Sequence, residues 1–233
     1  MNNNLSQLPP KELKWIKANR CKHRHFYINH FNCYRRQIKP FKVLFLDLEV
    51  TAHTGYFWGK SWETNIIEPI SYGKILSYSA KFMGKHPVTR GWCHFKENGE
   101  KELVKELWKL LDECDYVVGH NLKQFDLRWI YTRMSFYKMP MPSGFKVIDT
   151  KTESKKYLYV PSHSLNNLAQ YFGLGKKIEH EGFVLWKNCV AGNKKAWRKM
   201  LKYNQQDTLL LEKVFNKLRP LNPNWVLLGR RET

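Results

Sequence analysis

Acidic residues are scarce in this chain. Among 233 residues, 20 Asp and Glu stand against 40 Lys and Arg, a formal net charge of +20. A charge this large implies a polyanionic partner. Nucleic acid fits better than a membrane surface, because no basic amphipathic stretch with an aromatic membrane-facing side is evident. Long apolar runs are missing as well: none reaches the length of a membrane span, and the N-terminal MNNNLSQLPPKELKW has no uninterrupted apolar segment of signal-peptide length. The expectation is a soluble, cytoplasmic protein. Cysteine is sparse and odd in number, five in all (Cys21, Cys33, Cys93, Cys114 and Cys189), which argues against a disulfide framework and for a reducing compartment. No repeat or low-complexity tract occurs, so solenoids and disordered arrays are excluded.

What is present is enough apolar material, 42% of residues, to bury one sizeable core. Residues 1–40 differ in character from the rest. They carry nine Lys or Arg against Glu12 alone and end at Pro40, which reads as a basic extension ahead of a main domain spanning 41–233. From there β-rich runs alternate with helical runs, the signature of an α/β fold. Strands are expected at 42–49, 75–83, 90–95, 115–119 and 145–149, and helices at 100–113, 124–137, 164–172 and as a pair near 194–218. Ser162 or Ser164 is placed to cap the third helix, with Gly173 behind it.

The first strand, VLFLDLEV at 43–50, contains the central puzzle. Six of its eight residues are apolar, as in a strand covered on both faces. Alternation puts Val43, Phe45, Asp47 and Glu49 on one face and Leu44, Leu46, Leu48 and Val50 on the other. Two carboxylates about 7 Å apart along the strand would cost several kcal/mol to desolvate with nothing positive between them. The balancing charge is a Lys or Arg, or a hard divalent cation held by oxygen ligands. The plain alternative is a strand end where both acids reach solvent.

Two later segments add to this pair. In VVGHNLKQFDLRWI, Asn121 and Asp126 follow an expected strand, and Asp126 opens the next helix, where it either complements the helix dipole or joins a site at the sheet edge. In KYNQQDTLLLEKVF, Tyr203 and Asp207 stand four residues apart, so they share a helix face. Asp149, ending KVID, reads more naturally as a turn or cap residue than as a ligand. His120 reads as structural.

Taken in order, Asp-x-Glu, Asn-x-x-x-Phe-Asp and Tyr-x-x-x-Asp resemble the motifs of the DEDD superfamily of 3′→5′ exonucleases in its tyrosine-bearing branch. That branch includes the proofreading domains of family A and family B DNA polymerases and the ribonuclease D group. YFWGKSWETNI followed by ILSYSAKFMG is similar to small exonucleases related to the family B proofreading domain, many of them phage-encoded, which would place this protein in host cytoplasm. The resemblance covers roughly residues 42–219. It implies an α/β, ribonuclease H-like mixed sheet flanked by helices, and a phosphodiester hydrolase using two Mg²⁺ or Mn²⁺ held by Asp47, Glu49, Asp126 and Asp207. Tyr203 would orient the attacking water. The substrate implied is single-stranded nucleic acid, with DNA favoured over RNA, cut to nucleoside monophosphates. A separate DNA polymerase or replication protein is the implied partner. The chain departs from the family in one respect: Val50 follows Glu49 where Thr is usual, with Thr51 next, and this bears on the grip on the strand terminus. Alternatives are an exoribonuclease, a structure-specific endonuclease and a silent binding protein, the last disfavoured because a binding surface gains nothing from keeping these acids.

Several other residues attach to the same reading. Asn121 is a candidate hydrogen-bond donor to the nucleic acid, or else holds the strand-to-helix turn. Phe57 and Trp58, shortly after the first motif, are candidates to meet the terminal base. Lys194, Lys195, Arg198, Lys199 and Lys202 precede Asp207, and Lys151, Lys155, Lys156, Lys176 and Lys177 flank other loops, placed to hold phosphates without reading sequence. Finally, CKHRHFYINHFNC supplies Cys21, His25, His30 and Cys33, with His23 as a substitute for His25. These read either as a structural zinc site or as packing cysteines among histidines that face nucleic acid.

Overall fold

The computed structural model describes residues 10–20, 23–26, 28–29, 41–58, 66–95, 98–222 and 225. The chain divides into two compact units, Met1–Pro40 and Phe41–Thr233. In the first, α1 (Pro10–Ala18) is followed by a turn closed by a bridge between Arg20 and Phe26, with the Arg20 guanidinium 4.2 Å from the Phe26 ring centroid. Cys21, His30 and Cys33 lie outside the described residues, so of the zinc reading only His23 and His25 fall within them.

The second unit is built on a five-stranded mixed sheet in the order β5-β4-β1-β6-β7. Its strands are β1 (Val43–Val50), β4 (Ile75–Phe82), β5 (Val88–Gly91), β6 (Tyr116–Gly119) and β7 (Lys146–Asp149). Strands β2 (Thr54–Tyr56) and β3 (Glu68–Ser71) form a separate hairpin. Strand β1 runs antiparallel to β4 and parallel to β6, so it sits mid-sheet and is covered on both sides, as its apolar run requires.

The alternation along β1 sorts its side chains into two cores. Leu44, Leu46 and Leu48 pack with Leu103, Leu107 and Leu111 of α2 (Gly99–Glu113) and with Leu127, Ile130 and Met134 of α3 (Asp126–Phe136). On the opposite face Val43 and Phe45 meet Leu165 and Leu168 of α5 (Leu165–Tyr171) and Leu211, Val214 and Phe215 of α7 (Lys194–Leu218). Each such side chain contributes about 1.5–3 kcal/mol by leaving water. Helix α4 (Thr150–Tyr157) follows β7 directly. A third cluster of Leu76, Leu185, Cys189, Trp197, Met200 and Tyr203 seats α6 (Phe183–Val190) and the first half of α7 against β4.

Several elements differ from expectation. The expected pair of helices near 194–218 is one helix of 25 residues: Asn193 caps it by accepting from the Lys195 and Ala196 N–H groups, and no Gly or Pro interrupts it. The strand expected at 90–95 lies at Val88–Gly91 and gives way to a 3₁₀ turn at Trp92–His94, which is closed by His94 Nδ1 accepting from the Gly91 N–H and the Trp92 carbonyl accepting from the Phe95 N–H. The β2–β3 hairpin and helices α4 and α6 carry periodicity too short to register in sequence. Among the described residues no helix is long and apolar enough to cross a membrane.

A buried ion pair fixes the junction of α2, α3 and β4. Glu100 accepts from Arg133 through both carboxylate oxygens, at 2.7 and 2.6 Å, and also from the Tyr137 hydroxyl and the Ile75 N–H. Both charged side chains are 5% exposed. Truncating Glu100 to Ala leaves the guanidinium uncompensated, so Glu100→Ala is expected to destabilise folding by about 3–5 kcal/mol, read as a lower urea midpoint with an unchanged slope.

Candidate active site

The acids of β1 meet α7 through a single amide. Asn204, fully buried, donates through Nδ2 to the Asp47 carboxylate at 2.6 Å and to the Asp47 carbonyl at 3.2 Å. Its Oδ1 accepts from the Ser77 hydroxyl of β4 at 3.1 Å. One turn further along α7, Thr208 donates to the Ser79 carbonyl. These bonds hold the α7 face that carries Asn204, Tyr203 and Asp207 over the middle of the sheet. Carboxylate oxygens of Asp47, Glu49 and Asp207 then lie within 4.8 Å of one another. The β1–β4 register shifts between Glu49 and Val50, a bulge of the kind that re-aims a side chain at a sheet edge.

Asp126 reaches β1 from the adjacent joint. Gly119 ends β6 packed onto Leu122, where a Cβ would fall at 2.7 Å. Asn121 takes a left-handed φ of +69°, which Asn tolerates, and its carbonyl accepts from the Gln124 and Phe125 N–H groups. The turn delivers Asp126 to the start of α3, where Oδ1 accepts from the Leu48 N–H at 3.1 Å. Asp126 is thus tied to the backbone between the two β1 acids. Asp149 is the cap of α4, accepting from the N–H groups of Lys151 and Thr152 and, across the strand ends, from those of Asn121 and Lys123. It braces the turn rather than joining the acids.

Clustering four acids in a buried site alters their protonation. Burial, and next the charge of Asp207, push Asp47 up to about 7 against the opposing pull of Lys177 and the Asn204 bond. Glu49 is held well above the usual range by burial, then by Asp47 and Asp207, and Asp126 by burial, then by Asp47. Asp207 is raised by burial and pulled back by Lys177.

Lys177 is the positive group at this site. It lies between α5 and α6, where its backbone N–H donates to Asn166 Oδ1. Its Nζ donates to Asp207 Oδ2 at 2.5 Å and sits 3.4 Å from the Tyr203 hydroxyl. Burial works against its charge, but Asp207 and Tyr203 outweigh that and keep it protonated. The other oxygen of Asp207, Oδ1, is buried with no hydrogen-bond partner. A carboxylate with an unpaired buried oxygen, clustered with two further carboxylates, suits a hard divalent cation. Asp47, Glu49 and Asp207 would hold it directly.

Tyr203 is buried beside the acids, with His180 edge-on at 4.7 Å and Trp186 at 6.2 Å. Burial and Asp207 raise its phenol above the ordinary value, so it stays neutral. Beside Glu49, the indole of Trp186 works against the rise of that carboxyl. Trp186 and His180 form one wall of a cleft of about 460 Å³, whose other wall is Val50–His53 and Trp129. His53 stacks on Trp129 at 5.1 Å. Thr51 is committed to the backbone of Lys74, with which it exchanges two hydrogen bonds. Phe57 and Trp58 are exposed beyond β2 and do not line this cleft.

The RNase_H_2 family model, described as RNase_H superfamily, matches residues 63–219. The chain belongs to the RNase H superfamily. No curated protein sequence matches it. Among solved structures it is similar to the family B DNA polymerase from the hyperthermophilic archaeon Pyrobaculum calidifontis, with a TM-score of 0.61 and 14% identity over 83% of this chain. The chain spans 28% of the length of that polymerase. At such identity the likeness is one of fold, and it agrees with the ribonuclease H-like mixed sheet. The family match begins after β1, so what unites Asp47 and Glu49 with the matched segment is the geometry.

Sequence reasoning placed Lys177 only among loop cations and passed over Asn204 and Trp186. Asn204 had a signal, since it follows Tyr203 and points three residues before Asp207 toward the same sheet. Lys177 had none, because its role depends on how the segment between α5 and α6 folds back.

A raised carboxyl pKa opposes folding as pH increases. For Asp47 this cost is absent below about pH 4, near its ordinary value of 3.8, and complete above its folded value of about 7. In chelator, Asp47→Asn should therefore melt at a higher temperature than the native protein, by a margin that widens from pH 4 to pH 8. Mn²⁺ should raise the Tm of the native protein increasingly over the same range and leave the variant little changed. A pH-independent margin would contradict the buried acid cluster. The check is a melting series at fixed ionic strength.

Proposed function

We propose that this protein is a metal-dependent 3′→5′ exonuclease that trims single-stranded nucleic acid, DNA in preference to RNA, to nucleoside monophosphates. The observation that carries the reading is the convergence of the Asp47, Glu49 and Asp207 carboxylates, one oxygen of Asp207 having no hydrogen-bond partner, with Tyr203 one turn from Asp207 on the same helix face. Two Mg²⁺ or Mn²⁺ ions would be held by these acids, with Asp126 supporting the second. Bound there, they would neutralise the phosphodiester and stabilise the entering and leaving oxygens.

The chain's own groups supply the rest. The neutral Tyr203 hydroxyl can hydrogen-bond and orient a water beside Glu49 and Asp207. Lys177, protonated and paired with Asp207, would offset phosphate charge once Asp207 holds a cation. The apolar cleft beside Glu49 is of a size for a single nucleoside, with Trp129 and Trp186 as its aromatic walls. A cleft for one terminal nucleoside favours removal of end residues over internal cutting. Asn121, Phe57 and Trp58 would contact the strand around it. The basic extension at 1–40, whether or not Cys21, His25, His30 and Cys33 bind zinc, would add phosphate contacts. A separate polymerase would supply the 3′ ends.

End-labelled single-stranded DNA and RNA, incubated with Mg²⁺ or Mn²⁺, should give a ladder shortening from the 3′ end, faster on DNA. Asp47→Ala should lower the rate by roughly a thousandfold, about 4 kcal/mol of transition-state stabilisation. Internal cuts would favour an endonuclease, and binding without cutting a silent binder. Tyr203→Phe keeps the packing against His180 and Trp186 and removes only the hydroxyl. It should reduce kcat by about a hundredfold with KM little changed, and a loss confined to KM would remove the water-orienting role.

A further inference from the structure

Helix α7 has a second face that the chemistry of the acids does not use. The helix carries seven basic residues, Lys194, Lys195, Arg198, Lys199, Lys202, Lys213 and Lys217, and two acids. Both acids are committed elsewhere, Asp207 to the cluster and Glu212 to Lys81. Among the described residues only Lys199 of the seven has an ion-pair partner, Glu181 at 2.6 Å. Lys194 with Arg198, Lys195 with Lys199, Arg198 with Lys202 and Lys213 with Lys217 are like charges four residues apart, an arrangement that destabilises a helix. A face that serves only solubility would intersperse Glu and gain stability from each pair. This one accepts repulsion along its length, which a polyanion lying on it would relieve.

Position supports the same conclusion. Arg198, Lys202, Gln206 and Lys213 are exposed and share one side of the helix, turned away from the buried side that holds Asp207. Arg198 to Lys213 spans about 22 Å at about 1.5 Å per residue, room for several nucleotides. Along the second half of that span lies a recess of about 150 Å³ lined by Lys177, Gln206, Asp207 and Lys213, among others. Asp207 thus borders this recess, while Val50, next in β1 to Glu49, borders the apolar cleft. The acids lie between the two openings.

We propose that the outer face of α7 is a sequence-independent track for the phosphodiester backbone upstream of the scissile bond, leading through the Lys177–Lys213 recess to the acids. Which end of the strand lies where rests on the nuclease reading; that a single strand binds this face does not.

The test combines Arg198→Gln, Lys202→Gln and Lys213→Gln in one variant, since Gln keeps helix propensity. A second variant, Lys101→Gln with Lys105→Gln and Lys109→Gln on α2, removes the same charge elsewhere. The probe is a 5′-fluorescein 20-nucleotide single strand in chelator, with anisotropy read from 50 to 200 mM salt. Losing three phosphate contacts should reduce the slope of log K against log[salt] by about 2 and weaken binding at least tenfold at low salt, whereas the α2 variant changes little. The second readout compares kcat/KM for the 20-mer with that for the p-nitrophenyl ester of thymidine 5′-monophosphate, which has no upstream phosphate. The loss on the strand should exceed the loss on the ester at least tenfold. An unchanged slope and affinity, an equal effect from the α2 variant, or equal losses on strand and ester would each overturn the track. If the native protein cleaves neither substrate with Mn²⁺, the nuclease reading fails, and the anisotropy comparison still decides the track.

Discussion

Everything at this site follows from the free-energy cost of bringing carboxylates from β1 and α7 together out of water. Their repulsion and desolvation push protons onto Asp47, Glu49 and Asp126 and leave Asp207 dependent on Lys177. No local preference of strand or helix would choose this arrangement. It persists because apolar burial on both faces of β1 outweighs it, and because Asn204 gives Asp47 a donor that needs no net charge. Positive charge is the missing quantity, and a hard divalent cation supplies more of it in less space than an ammonium group. Lys177 is the partial answer available to the chain itself.

The division of labour between Asn204 and Lys177 is informative. Asn204 is fixed by Ser77 and by the carbonyl of Asp47, so it sets position and cannot move without disturbing three elements. Lys177 hangs from a segment between helices and holds Asp207 through one flexible stem. On the nuclease reading, a site that admits cations and an anionic substrate in turn would be served by one rigid and one yielding partner. The same logic explains the bare Oδ1 of Asp207. Satisfying it from the protein would close the site to any ligand.

Much of this was legible in the sequence because strands and helices translate spacing into direction. The period of two along VLFLDLEV put Asp47 and Glu49 on one face, and the structure keeps them there, with Leu44, Leu46 and Leu48 in the opposing core. Tyr203 and Asp207, four apart, share a face of α7. The alternation of strands and helices implied the sheet now seen. What was not legible depends on long-range closure. Lys177 acquires its place only when the segment between α5 and α6 folds over α7, and Trp186 and His180 only when α6 packs on Tyr203. The pair of helices expected near 194–218 is a single helix, with no Gly or Pro to break it. The hairpin at 54–71 has three- and four-residue strands, too short for any period to show.

The charge balance of the whole chain and the acids at its centre pull a nucleic acid in opposite directions. At +20 the surface attracts phosphates from a distance, whereas the cluster of Asp47, Glu49 and Asp207 repels them at contact. Capture and chemistry are therefore separable. On the proposed reading, a strand would be held without cations along basic surface such as the outer side of α7 and kept from the acids, and cations would remove that barrier. The last step would then be conditional on the metal. It also accounts for where the scarce acids lie. A chain with half as many acids as bases still brings four of them, two buried and two half-buried, to one end of β1, where their repulsion adds nothing to the fold unless a positive charge joins them.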